Sequence, residues 1–112
     1  MTITMKRNDR EPALRATLLH NGEPVPLSGS TVKLIMKLDS AAASAAPKVD
    51  AAATIVGDDE VDVGVVEYAW ADGDTDTIGT YRAEFEVTFA NGKTRSFPGA
   101  DYLLVRIIAD LG

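Results

Sequence analysis

Hydrophobic and polar residues alternate along most of this chain with a period of two, the spacing of half-buried strands. Residues 13–19 read ALRATLL, with Leu14, Ala16 and Leu18 on one face and Arg15 and Thr17 on the other. Residues 31–38, TVKLIMKL, set Val32, Leu34, Met36 and Leu38 against Thr31, Lys33, Ile35 and Lys37. The longest run is 80–89, TYRAEFEVTF, with Tyr81, Ala83, Phe85, Val87 and Phe89 opposite Thr80, Arg82, Glu84, Glu86 and Thr88. Asn91-Gly92 follows it with the positive-φ chemistry of a tight hairpin. The return strand is predicted over 93–97, Pro98 and Gly99 end it, and 102–108 form the last strand. Two shorter strands are expected at 52–56 and 65–70, the second placing Val66, Tyr68 and Trp70 on one face. Residues 2–5 suit a first edge strand. Asn21-Gly22 makes a turn, and Pro24-Val25-Pro26 suits a sheet edge or a connection, because proline cannot join a ladder in full.

Residues 39–47, DSAAASAAP, interrupt this pattern. Nine small residues without a bulky anchor are too short for a stable isolated helix, so a mobile loop with at most a frayed helical turn is expected. Seven or eight strands with turns at short intervals predict an all-β sandwich or small barrel in a single domain spanning 1–112.

Composition narrows the function. At 112 residues, 46% hydrophobic and 25% charged, the chain has the balance of one globular domain. It has no cysteine, so neither a disulfide frame nor a thiolate metal site can form. Its apolar runs fall short of the roughly 20 residues that span a bilayer, and its start has no apolar core of signal-peptide length. A soluble protein made in the cytosol is expected, with no membrane partner. A net charge of −6 disfavours nucleic acid.

Candidate chemistry is thin, and no enzyme activity and no cofactor are expected. The one histidine, His20, stands beside a turn with no triad or metal partner close in sequence. No serine has the nucleophile-elbow context, and no phosphate loop or dinucleotide fingerprint occurs. Asp72-Gly73-Asp74-Thr75-Asp76 spaces carboxylates as a calcium loop does, but Thr77 and Ala83 stand where that loop needs glycine and glutamate. Side chains bonding to their own backbone in a surface turn are the expected use. Asp58-Asp59-Glu60-Val61-Asp62 is expected at the tip of a hairpin between Ile55 and Val65, where repulsion discourages edge pairing. Two segments are candidates for docking: the basic residues Lys6, Arg7 and Arg10 of the arm 1–10, interleaved with Asp9 and Glu11, and the acids Asp58, Asp59 and Glu60. Tyr68, Trp70 and Tyr102 are candidates for an aromatic stacking surface in a carbohydrate- or peptide-binding domain, although the alternation sends Tyr68 and Trp70 toward the core.

Two resemblances sharpen the expectation. Residues 76–83, DTIGTYRA, resemble the approach to strand F of immunoglobulin-type domains, where an aspartate and a small residue, here Asp76 and Gly79, precede a tyrosine, here Tyr81. The resemblance implies that the Tyr81 hydroxyl ties to upstream backbone, and that Ala83 stands where antibody domains carry a cysteine.

The chain as a whole resembles the N-terminal domain of the baseplate upper proteins of siphophages and similar small virion proteins. The resemblance is carried in order by Asp9, Pro12, Leu14 and Leu18; by Gly22, Pro24, Val25, Leu27, Gly29, Thr31 and Val32; by a strand like Lys33 to Lys37; by Gly64, Val66, Tyr68 and Trp70; by Asp74 to Tyr81; by Glu84 to Gly92; and by Phe97-Pro98 before the last strand. It implies an immunoglobulin-like antiparallel β-sandwich with Trp70, Gly79 and Tyr81 as its diagnostic positions. It also implies a non-enzymatic part of a tailed-phage virion, made in the host cytoplasm, present in several copies and docked on other phage structural proteins of the tail or baseplate. A capsid decoration or head-fibre protein is the same physics at another address. The arm 1–10 and the loop 39–47 are the segments expected to become ordered on a neighbour.

Overall fold

The computed structural model describes residues 2–41, 45–98 and 102–111. Among these, the strands are β1 (Thr2–Lys6), β2 (Leu14–Thr17), β3 (Leu19–His20), β4 (Glu23–Pro24), β5 (Thr31–Leu38), β6 (Val49–Ile55), β7 (Val65–Tyr68), β8 (Gly79–Thr88), β9 (Thr94–Phe97) and β10 (Leu103–Ile108), with no helix among the described residues. The all-β expectation holds. Eight strands form one sheet in the order β1-β10-β8-β5-β6-β7-β2, with β9 also on β8, while β3 and β4 form a separate two-stranded ribbon.

The long alternating strand β8 organises the sheet. One edge pairs with β5 over its whole length, from Thr31↔Thr88 to Leu38↔Tyr81. The other edge is shared: β9 pairs with the second half and β10 with the first. β6 is the corner. Its residues 49–53 pair with β5, while Thr54 and Ile55 pair with β7, so one strand carries the sheet around the core.

The sheet is mixed, which corrects the expectation of an antiparallel sandwich. β1 runs parallel to β10, Thr2↔Leu104 to Lys6↔Ile108. A parallel pair needs a long crossover, and here almost the whole chain lies between the two strands. Pairing between the chain's first and last strands cannot be read from alternation, which fixes the face of each residue but not its neighbour. The same pairing corrects the expectation that the arm 1–10 waits for a neighbour to order it, since residues 2–6 already belong to the sheet.

The inward faces build the core. Leu34, Met36, Tyr81, Ala83, Phe85, Val87, Phe97, Val105 and Ile107 from one side meet Leu14, Leu18, Val66, Tyr68 and Trp70 from the other, all buried. Phe85 is completely buried, so Phe85→Ala is expected to cost about 3–5 kcal/mol.

Several boundaries moved. β6 begins at Val49, earlier than the predicted 52, because Ala51 and Ala53 are half-buried inward positions that small side chains disguise. Asn21 and Gly22 both take positive φ, 51° and 79°, and so make the two-residue turn between β3 and β4. The Asn91-Gly92 hairpin is instead a three-residue loop: Gly92 N donates to Phe89 O and Phe89 N to Lys93 O, and only Gly92 turns left-handed. Of the expected loop 39–47, residues 42–44 lie outside the described residues, as do Met1 and the strand-ending Gly99.

Candidate interaction site

The two ends of the sheet path, β1 and β2, each have one neighbour. Hydrogen-bond parity says which backbone groups are left over. Arg7 N donates to Ile108 O, so Met5 and Ile3, in alternation, turn their backbone toward β10 while Thr2 and Thr4 turn theirs away. Leu18 N donates to Gly64 O, so Ala16 and Leu14 face β7, and Arg15 and Thr17 present their N–H and C=O groups outward.

The curl of the sheet brings these edges to the two banks of one seam. A groove of about 300 Å³ is lined by Ile3 and Met5 of β1, by Pro12, Ala13 and Leu14 at the start of β2, and by Trp70. A second groove of about 170 Å³ is lined by Ala16, Thr17 and Leu18 and by Phe97, Pro98 and Leu103. Both grooves share the free edge of β2, and both floors are mostly apolar. Trp70 is 3% exposed and stands edge-on to Tyr68, ring centres 5.4 Å apart. Its indole Nε1 is buried with no hydrogen-bond partner among the described residues.

The candidate basic residues have different duties. Lys6 ends β1. Arg7 pairs with Asp110 at 2.9 Å, fastening the first strand to the end of the last. Arg10 Nε donates to Trp70 O at 3.2 Å. Arg15, on the solvent side of β2, stands 3.7 Å from Glu67. Neither β1 (TITMK) nor β2 (LRAT) contains an acidic residue, in a chain with 17 acids and 11 bases.

The acidic candidates stand elsewhere, at the tip between β6 and β7. Asp58 Oδ1 accepts from Glu60 N at 2.8 Å and Val61 N at 2.7 Å, which holds its carboxyl below the ordinary range. Asp59 Oδ1 accepts from Ser28 N, and Glu60 is exposed. Gly57 is required here: a Cβ on it would collide with the backbone carbonyls of Val61 and Asp62. The structure therefore does not join the two candidate docking segments.

The carboxylates of 72–76 part company as well. Asp74 accepts from Ala71 N at 2.8 Å and from the Tyr68 hydroxyl. Burial and the Asp74 hydrogen bond push the Tyr68 phenol well above its ordinary value. Asp76 accepts from Lys48 Nζ and Thr77 Oγ1, and these bonds hold its carboxyl low. Thr75 between them is 1% exposed; its hydroxyl donates to Asp9 O at 2.8 Å, and Asn8 N donates to Thr75 O. Sequence reasoning singled out the aspartates and missed Thr75, which pins the segment following β1. Tyr81, the diagnostic tyrosine, is buried and its hydroxyl donates to Thr77 O at 2.8 Å. Gly79 lets Leu38 pack close, since an added Cβ would meet Leu38 Cδ2 at 3.0 Å.

The aromatic stacking surface does not form: Tyr68 and Trp70 are both 3% exposed, and Tyr102 lies elsewhere, against the Arg82 guanidinium at 5.5 Å. His20 Nδ1 accepts from Arg95 at 2.7 Å, a partner 75 residues away. No group of three or more metal-ligating side chains occurs among the described residues. Compared with known proteins, the chain matches no family model and no curated protein.

Proposed function

We propose that this chain is a non-enzymatic interaction module of a tailed-phage virion, of the baseplate or tail attachment kind that its sequence resembles, working in several copies against other phage structural proteins. The observation that carries the reading is the seam: two strand edges with outward backbone groups face each other over an apolar floor. Exposed edges invite pairing with another chain, and an assembly module uses that property.

The finer fold belongs to the same proposal. We read the curled sheet as an immunoglobulin-like sandwich. Support comes from β5, β8 and β10 side by side, from β1 running parallel along β10, and from the buried Tyr81 bonded to the backbone four residues before it.

The test is mass spectrometry and cryo-electron microscopy of purified particles of the phage whose genome encodes the chain. The expected result is the chain in the particle at fixed stoichiometry. A few copies place it at the tail, and hundreds on the head lattice mean a decoration protein. A chain abundant in infected cells yet absent from particles overturns the virion reading.

A further inference from the structure

We propose that the free edge of β2 is a strand-accepting site, taking an extended segment of a partner protein that alternates apolar with acidic side chains. The inference deepens the proposed function and rests on one part of it, that the chain works by binding other proteins.

Three features specify the occupant. The first is backbone chemistry. Arg15 and Thr17 present N–H and C=O groups outward along an edge bordered by two grooves. Groups in that array are satisfied in register by another extended backbone.

The second is the floor. A strand laid along β2 sends every second side chain inward, onto Ile3, Met5, Leu14 and Trp70 in one groove and Phe97 and Leu103 in the other. Those side chains are apolar.

The third is charge. The interleaved side chains of the added strand point to solvent, between Lys6 at the end of one bank and Arg15, which stands 3.7 Å from Glu67, on the other, with Arg10 held on the Trp70 carbonyl. Neither bank strand carries a carboxylate. Acidic side chains complete that arrangement. The same Arg15 argues against a second copy of this chain as occupant, because antiparallel pairing of two β2 edges would set Arg15 near its counterpart.

The experiment is a titration of the purified chain with a capped synthetic peptide of alternating valine and glutamate, set against a valine–lysine peptide. Fluorescence of Trp70, the one tryptophan, reports occupancy of the groove. The expected result is saturable binding at least about tenfold tighter than the lysine peptide, weakening severalfold as salt rises to about 0.5 M. Thr17→Pro removes one outward donor at an edge where proline is tolerated, and is expected to weaken binding by about tenfold. Arg15→Gln is expected to weaken it about threefold, which keeps the test open if circular dichroism shows the proline variant unfolded. The proposal is overturned by no binding of the valine–glutamate peptide, by equal binding of the lysine peptide, or by a folded Thr17→Pro variant that binds as well as the parent. Light scattering that finds a dimer blocking peptide access replaces the partner strand with a second copy and also overturns it. Peptide binding by a chain absent from particles supports the accepting edge and overturns only the virion address.

Discussion

Tyr81 and Thr75 are both buried, both make one hydrogen bond from a hydroxyl to a backbone carbonyl, and only one of them could be read in advance. Tyr81 bonds four residues upstream, so its role is visible in a local motif. Thr75 bonds to Asp9, 66 residues away, and a threonine in an aspartate-rich turn looks the same whether it points to water or to the core. The two bonds have similar expected worth. Tyr81→Phe keeps the ring and removes the hydroxyl, leaving the Thr77 carbonyl without this donor, and is expected to lower unfolding free energy by about 1–2 kcal/mol in denaturant titrations. Thr75→Val is expected to cost a similar amount, about 1–2 kcal/mol. It should also speed amide exchange at Asn8 and Asp9, which the Tyr81 change should not. Equal exchange at those amides in parent and Thr75→Val would mean that the bond does not hold the segment after β1.

Elements were legible where side chains are large and the pattern is local. Alternation places β5 and β8 to within a residue, because Val32, Leu34, Met36 and Tyr81, Phe85, Val87 mark their inward faces. β6 is only partly legible, because alanine hides alternation at 51 and 53. The seam was not legible at all: which strands lie at an edge depends on pairing between residues far apart, and no period records that Thr2 lies beside Leu104. The acidic hairpin sits between these extremes. Its place between Ile55 and Val65 was readable, while the reason it holds its shape was not, since that lies in Asp58 capping two backbone amides and in the tight approach of Gly57 to the carbonyls across the loop. Gly57→Ala puts a methyl against that backbone, and the loop must deform. A loss of about 2 kcal/mol or more is expected, against a few tenths for Glu60→Ala at the exposed tip. Matching denaturation midpoints for the two variants would sink this account of the turn.

Across the whole molecule, β6 joins both halves of the sheet and one core fills its curl, so the halves are expected to unfold together. Trp70 reports on the half that contains β2 and β7, and far-ultraviolet dichroism reports on all strands; their denaturation curves should coincide. That single transition makes pH dependence readable. Asp58 and Asp76 have folded values below the ordinary 3.8, so their contribution is present above the unfolded value and lost as pH falls through the folded one. Stability should therefore drop below about pH 4. The alkaline side has the opposite origin. Burial raises the Tyr81 phenol, and burial together with the Asp74 carboxylate raises Tyr68 further. A phenol raised by folding contributes stability in full below the unfolded value, near 10, and loses it as pH climbs from there toward the folded one, because the unfolded chain ionises first. The denaturation midpoint should fall above about pH 10. Tyr68→Phe combined with Tyr81→Phe should be less stable at neutral pH yet lose less between about pH 9 and pH 11. An alkaline slope as steep in that double variant as in the parent would show that other groups carry it.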